Sequence, residues 1–174
     1  MIEYTVKVYS DGDVHWILND YLHREGDKPA IEYANGDKSW YINGKFHREG
    51  DKPAVEHVSG YKAWYINGKR HREGDKPAIE HSCGDKEWFL NGERHREGDK
   101  PAIEYANGTK EWYINGNFHR ENGAAVLSVN GHKQWWLNGK HVSEEQHAAR
   151  TQPTKELTVA DIEKLLGHKV KVVK

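Results

Sequence analysis

The chain has 174 residues, enough for one domain of ordinary size, and its 26 basic and 27 acidic side chains leave a net charge of −1. That balance argues against broad, sequence-independent nucleic-acid binding, which needs an excess of Lys and Arg on one face. Seven Trp and nine Tyr in a chain that is 30% charged argue against a disordered polymer, because disordered chains are poor in aromatics.

Residues 1–22 read as a partial repeat that caps the N-terminal end. They carry Gly12, Trp16 and Asn19 at the spacing of later motifs, with Asp20 where those have glycine. They lack the lead HREGDKPA that opens each later unit.

From His23 one 24-residue unit is written four times, over 23–118. Trp40, Trp64, Trp88 and Trp112 recur at that period, as do Pro29, Pro53, Pro77 and Pro101. A residue repeated at the structural period forms a column in space, and each copy stacks on the next through such columns. Within a unit, AIEYA alternates and runs into Asn35-Gly36; KSWYI then runs into Asn43-Gly44. Asn-Gly between alternating runs is the strongest short hairpin signal, since both residues tolerate positive φ. A two-residue loop at Asn43-Gly44 sets Ile42 against Lys45, Tyr41 against Phe46 and Trp40 against His47. Trp40 and Ile42 then share one face, and Tyr41 and residue 39 the other. The charged REGDKP segment, with Gly and Pro, is the step to the next copy. Three sheet strands per copy would advance the array by roughly 14 Å, and one coil per copy by about a third of that.

Residues 119–140 read as a degenerate last copy, with HRENGAA in place of the GDKP loop and Leu127 in the Glu32 column. Residues 141–174 leave the repeat. Ser143 and Gln146 suit a capping box, Gln152-Pro153 a break, and Thr158 with Asp161 a second helix start, with Leu157 and Ile162 as its hydrophobic staple. Gly167 suits a helix stop and KVKVV an edge strand. Such a tail is expected to pack on the last copy as a cap, or on a second copy of the chain. The fold class is therefore all-β: an elongated antiparallel β-hairpin repeat, sheet or solenoid, with a small C-terminal α/β cap.

Five His-Arg pairs recur, and Arg24, Arg48, Arg72, Arg96 and Arg120 form a candidate anion-binding column. The structural reading competes with it, because carboxylates of the Glu25 and Glu32 columns travel at the same period. The His residues come one per copy with no metal-ligand spacing, so neither metal nor cofactor is expected. No nucleophile or phosphate-loop motif points to an enzyme. Among the columns that vary between copies, two stand out: Tyr33, His57, His81, Tyr105 and Phe46, Arg70, Arg94, Phe118. Structure does not fix their identity, and aromatic and Arg residues are enriched in interface hot spots, so these eight are the candidate partner-binding residues. The single cysteine, Cys83, sits at a turn position and allows no intramolecular disulfide, which suits a reducing compartment. There is no leader-like segment and no run of about 18 apolar residues. The expected setting is cytoplasmic, without membrane.

The motif WYINGKxHR…PA, as in Trp40–Arg48 and Trp64–Arg72, resembles the MORN family of β-hairpin repeats over roughly residues 8–140. Trp40, Asn43, Gly44, Lys45 and His47 match the family pattern, whereas Arg48 stands where MORN repeats have glycine. The chain looks closer still to MORN-like repeat proteins of large tailed bacteriophages and giant viruses. The resemblance implies an elongated, non-enzymatic scaffold that binds proteins; in a viral setting its partner would be a host protein, such as one of a defence system, which it would inhibit. A small-ligand or nucleotide sequestering protein built on the Arg and His columns is the alternative. Pairing of Arg48, Arg72 and Arg96 to carboxylates would defeat that alternative.

Overall fold

The computed structural model describes residues 2–151 and 158–171. Each full copy forms four two-residue strands; in the first these are Ile31–Glu32, Lys38–Ser39, Tyr41–Ile42 and Lys45–Phe46. The first two join one antiparallel meander of 14 strands, which runs from Thr5–Val8 to Lys140–Val142. The last two form a hairpin of their own, and four such hairpins stand in a row beside the sheet. The protein is all-β with a small C-terminal helical part. Two sheet strands per copy advance the array by about 10 Å, between the two spacings the sequence left open.

The two Asn-Gly turns are built differently. At Asn43-Gly44 both residues have positive φ (49° and 73°), and Tyr41 pairs with Phe46 and Ile42 with Lys45, as the two-residue loop requires. At Asn35-Gly36 only the glycine does (91°). Gly36 N–H donates to Tyr33 O at 2.8 Å and Tyr33 N–H to Asp37 O at 3.0 Å, a longer loop with a bulge. The Asn35 side chain stabilises it by accepting the Asp37 N–H at 2.9 Å. Asp20 takes a φ of 65° and so serves where later copies use glycine.

Trp40, Trp64, Trp88 and Trp112 are the corner residues between sheet and hairpin, each only 5–6% exposed. Each indole Nε1 donates to the carbonyl of Asp27, Asp51, Asp75 or Asp99 in the preceding loop, at 3.0–3.2 Å. Beside them lie the fully buried alanines Ala30, Ala54, Ala78 and Ala102 and the apolar column Ile31, Val55, Ile79 and Ile103.

Neighbouring hairpins are joined by two further bonds. Gly68 N–H donates to Phe46 O at 2.9 Å, and Asn67 N–H to His47 Nδ1 at 3.2 Å. The same pair of bonds recurs at Gly92 and Asn91, and at Gly116 and Asn115. The His column is thus an acceptor for the turn of the next hairpin.

The C-terminal end is closed by helix α1 (Glu144–Thr151), which packs against Lys133–Leu137. Ser143 and Gln146 make the expected capping box. Buried His147 bonds to Arg120 O through Nε2 at 2.7 Å. Helix α2 (Val159–Leu166) has the Thr158–Asp161 box and the Gly167 stop, with φ 72°, but it buries no residue. Leu165 is 73% exposed. The cap is therefore α1, not the later helix. No strand forms over 169–171; Gln152, Pro153, Leu157 and 172–174 lie outside the described residues.

Candidate functional site

Arg48 makes a complete set of contacts. Its guanidinium carbon lies 3.7 Å from the centre of the Trp40 ring. Nε and Nη2 hold the two carboxylate oxygens of Asp27 in the preceding copy, at 2.6 and 3.4 Å. Nη1 donates to Glu56 at 2.7 Å and to Pro53 O at 3.2 Å. Lys52 adds a bond to Asp27 at 2.6 Å. Arg72 and Arg96 repeat this set on Asp51 with Glu80 and on Asp75 with Glu104. Arg120 keeps Asp99 and Ala124 O, with Leu127 where a glutamate would stand. The hydrogen bonds from Arg48, Arg72 and Arg96, followed by those from the lysines, hold Asp27, Asp51 and Asp75 down at about 2. These forks are occupied by the protein's own carboxylates, which leaves the candidate anion column without an open guanidinium edge at Arg48, Arg72 and Arg96.

The variable columns behave differently. They meet in one seam, where a face of the sheet turns into the row of hairpins. Along the hairpin side, Phe46 stacks on Tyr41 at 4.2 Å and on Tyr65 of the next copy at 4.9 Å. Arg70 Nε donates to the Tyr65 hydroxyl at 3.2 Å, and its guanidinium lies 5.3 Å from Phe89. Arg94 lies 5.7 Å from both Phe89 and Tyr113. Phe118 stacks on Tyr113 at 4.2 Å and on Trp136 at 5.3 Å. Aromatic and cationic side chains thus form a continuous ladder from Tyr41 to Trp136. On the sheet side, His57, Tyr61 and His81 follow one another at 4.9 and 5.4 Å. None of the eight candidate residues is buried: His57 and Arg70 are exposed, and Tyr33, Phe46, His81, Arg94, Tyr105 and Phe118 half-buried.

Two carboxylates tie the sides of the seam together. Glu87 accepts from His81 Nε2 at 2.9 Å on the sheet side and from Arg94 at 3.0 Å on the hairpin side. Glu111 accepts from the Tyr113 hydroxyl at 3.0 Å and the Tyr105 hydroxyl at 3.4 Å. Burial, then the Glu111 charge, pushes both phenols up. Burial, helped by Tyr33 and Tyr65, pushes Tyr41 up to about 12. In the first two copies Ser39 and Ala63 take the column of Glu87 and Glu111. The floor of the seam therefore changes along the array from small uncharged side chains to carboxylates.

Sequence reasoning found the two outer columns of this seam and missed its floor. Residues 39, 63, 87 and 111 also differ between copies, and that variation was the available signal. Tyr61 was equally visible, as an aromatic among Asp37, Asp85 and Thr109.

Open clefts lie between successive REGDK loops and share Tyr41, Tyr65, Phe89 and Tyr113 with the seam; the one from Arg24 to Lys52 has a volume of 470 Å³. Their linings repeat from copy to copy, Trp40, His47 and Arg48 in one and Trp64, His71 and Arg72 in the next. Among the described residues no three His, Cys, Asp or Glu side chains gather as a metal site would, and no helix is long and apolar enough to cross a membrane. Fold and site together define an open β-hairpin repeat array with constant structural columns and a seam lined by columns that vary. No protein-family model matches the chain, and no curated protein matches it in sequence.

Proposed function

We propose that this protein is a non-enzymatic interaction scaffold that binds a protein partner along the variable seam. One observation carries the reading. The constant Arg, Trp, His and Asp columns are bonded to one another, whereas three columns that vary, those of Tyr33, Ser39 and Phe46, line one surface that no element among the described residues covers; the other exposed varying positions, such as Ala34, Asn35 and Lys45, lie at the turns. Tyr, Phe and Arg there are half-exposed and already ordered by stacking, so little side-chain entropy is lost on binding. The resemblance of Trp40–Arg48 to MORN repeats supports the same reading, as does the phage-protein likeness for a partner in a host cytoplasm. Phosphate or nucleotide capture by the Arg column is set aside, because Arg48, Arg72 and Arg96 each hold two carboxylates of the chain itself.

The reading is tested by native mass spectrometry of the gently purified protein and of a Phe46→Ala/Arg70→Ala variant. A discrete protein mass added to the wild type, absent from the folded variant, supports it. An added mass of a few hundred daltons that survives in the variant points to ligand holding and sinks the seam as the binding surface.

A further inference from the structure

The first copy lacks something every later copy has. One period before Trp40, the indole Nε1 of Trp16 is buried and has no acceptor among the described residues. Among the described residues the other buried side-chain nitrogen without a hydrogen bond, His23 Nε2, lies 3.9 Å from Glu25 Oε1 at the same end. Arg24 stacks on Trp16 at 3.6 Å and gives Nη1 to Glu32 and to Pro29 O. Its Nε–Nη2 edge, which in Arg48, Arg72, Arg96 and Arg120 closes on an aspartate, meets no carboxylate among the described residues. Lys28, the counterpart of Lys52, has no ion pair there either. The Arg24 side chain is only 15% exposed, while its Nε and Nη2 are not among the buried nitrogens, so the unpaired edge is reachable from solvent.

Sequence places Glu3 one period before Asp27, but the chain there does not follow the loop of later copies. Tyr4 packs edge-on against Trp16, with ring centres 5.8 Å apart, and its hydroxyl accepts the Glu25 N–H at 3.1 Å.

The molecule itself shows, four times, what fits this socket. One aspartate gives its carboxylate to the arginine and its own carbonyl to the indole. That aspartate is left-handed, with φ of 55–58° at Asp27, Asp51, Asp75 and Asp99, and follows a glycine. We propose that the Trp16–Arg24 end of the array binds a Gly-Asp turn presented by another polypeptide. Arg24 takes the carboxylate, Trp16 Nε1 the carbonyl, and Lys28 adds the second cation. The four such turns of this chain are already engaged by its own arginines, so the occupant is a different protein and not a second copy. The site lies apart from the variable seam and does not depend on it.

The test is a nitrogen-15 NMR titration of the full chain with an acetylated hexapeptide, Arg-Glu-Gly-Asp-Lys-Pro. The Trp16 indole signal is assigned with Trp16→Phe. The expected result is a saturable shift of that one indole signal, with those of Trp40, Trp64, Trp88 and Trp112 unmoved. A peptide with Asn in place of Asp should bind about tenfold more weakly, having lost the charge-assisted bonds. The proposal is overturned by a still Trp16 signal at millimolar peptide, or by equal binding of the Asn peptide. It is also overturned if Glu3→Gln alone moves the Trp16 indole and Arg24 Nε signals, since Glu3 would then already fill the socket.

Discussion

Arg72 lies flat on Trp64, its guanidinium carbon 3.7 Å from the ring centre, while its edge grips Asp51 of the copy before. One planar cation thereby joins three requirements: a lid for the corner tryptophan, a bridge between copies, and a partner for Glu80. Lysine has neither the fork nor the flat face. With Asp51 and Glu80 side chains 41% and 36% exposed, the ion pairs are discounted for solvent. Arg72→Ala is then expected to destabilise the array by about 2–3 kcal/mol, and Arg72→Lys by about half as much. Urea unfolding followed by tryptophan fluorescence reads both.

The same ladder sets the acid limit. Asp27, Asp51 and Asp75 titrate at about 2 in the folded protein, because Arg and Lys hydrogen bonds favour the carboxylate. Their unfolded value is about 3.9. The folded value is the lower one, so their stabilisation is complete above about pH 4 and is lost as pH falls towards 2. The thermal midpoint should drop across that window. Asp51→Asn should lower the midpoint at pH 7 and flatten the drop.

His71 Nδ1 accepts the N–H of Asn91 at 3.1 Å, at the turn of the next hairpin. His71→Phe keeps the ring and removes the acceptor. Asn91 is exposed, so water replaces the acceptor and the cost should be about 0.5–1.5 kcal/mol, with faster hydrogen exchange at Asn91 than at Asn67.

A methyl group at Gly36 would meet Val58 Cγ1 at 2.9 Å, from a backbone φ of 91°. Gly36→Ala should therefore cost more than the ~1–2 kcal/mol of the left-handed backbone alone. Gly26→Ala, where φ is 74° and nothing lies within 4 Å, should cost only that backbone amount. Adding Val58→Ala to Gly36→Ala should recover the difference. Thermal melts of the four proteins decide it.

Much of this was legible because the repeat puts its partners at one period. The Asn43-Gly44 turn stated its own register, and the Arg and Glu columns announced each other. The floor of the seam was not legible. Its strands are two residues long, as at Lys86–Glu87, so alternation cannot show that Glu87 faces inward beside Ile79 and Ile103. Nor does the sequence show that Trp40 breaks the strand and turns three runs into two sheet strands and a separate hairpin. The tail was legible only in part, for a related reason. The apolar spacing of Ile162, Leu165 and Leu166 marks a helix, but not the surface it would cover.

The central claim is that constant columns hold the array together and the variable columns of the seam meet the partner. Exchanging Phe46→Arg and Arg70→Phe together tests it most directly, because each residue type already occupies that column in a sister copy. Thermal melting and native mass spectrometry are run on the exchanged protein beside the wild type. A melting point within about 5 °C of wild type, with the partner mass lost, is the expected result. A bound partner retained at full occupancy, or an exchanged protein that no longer folds, would contradict the division.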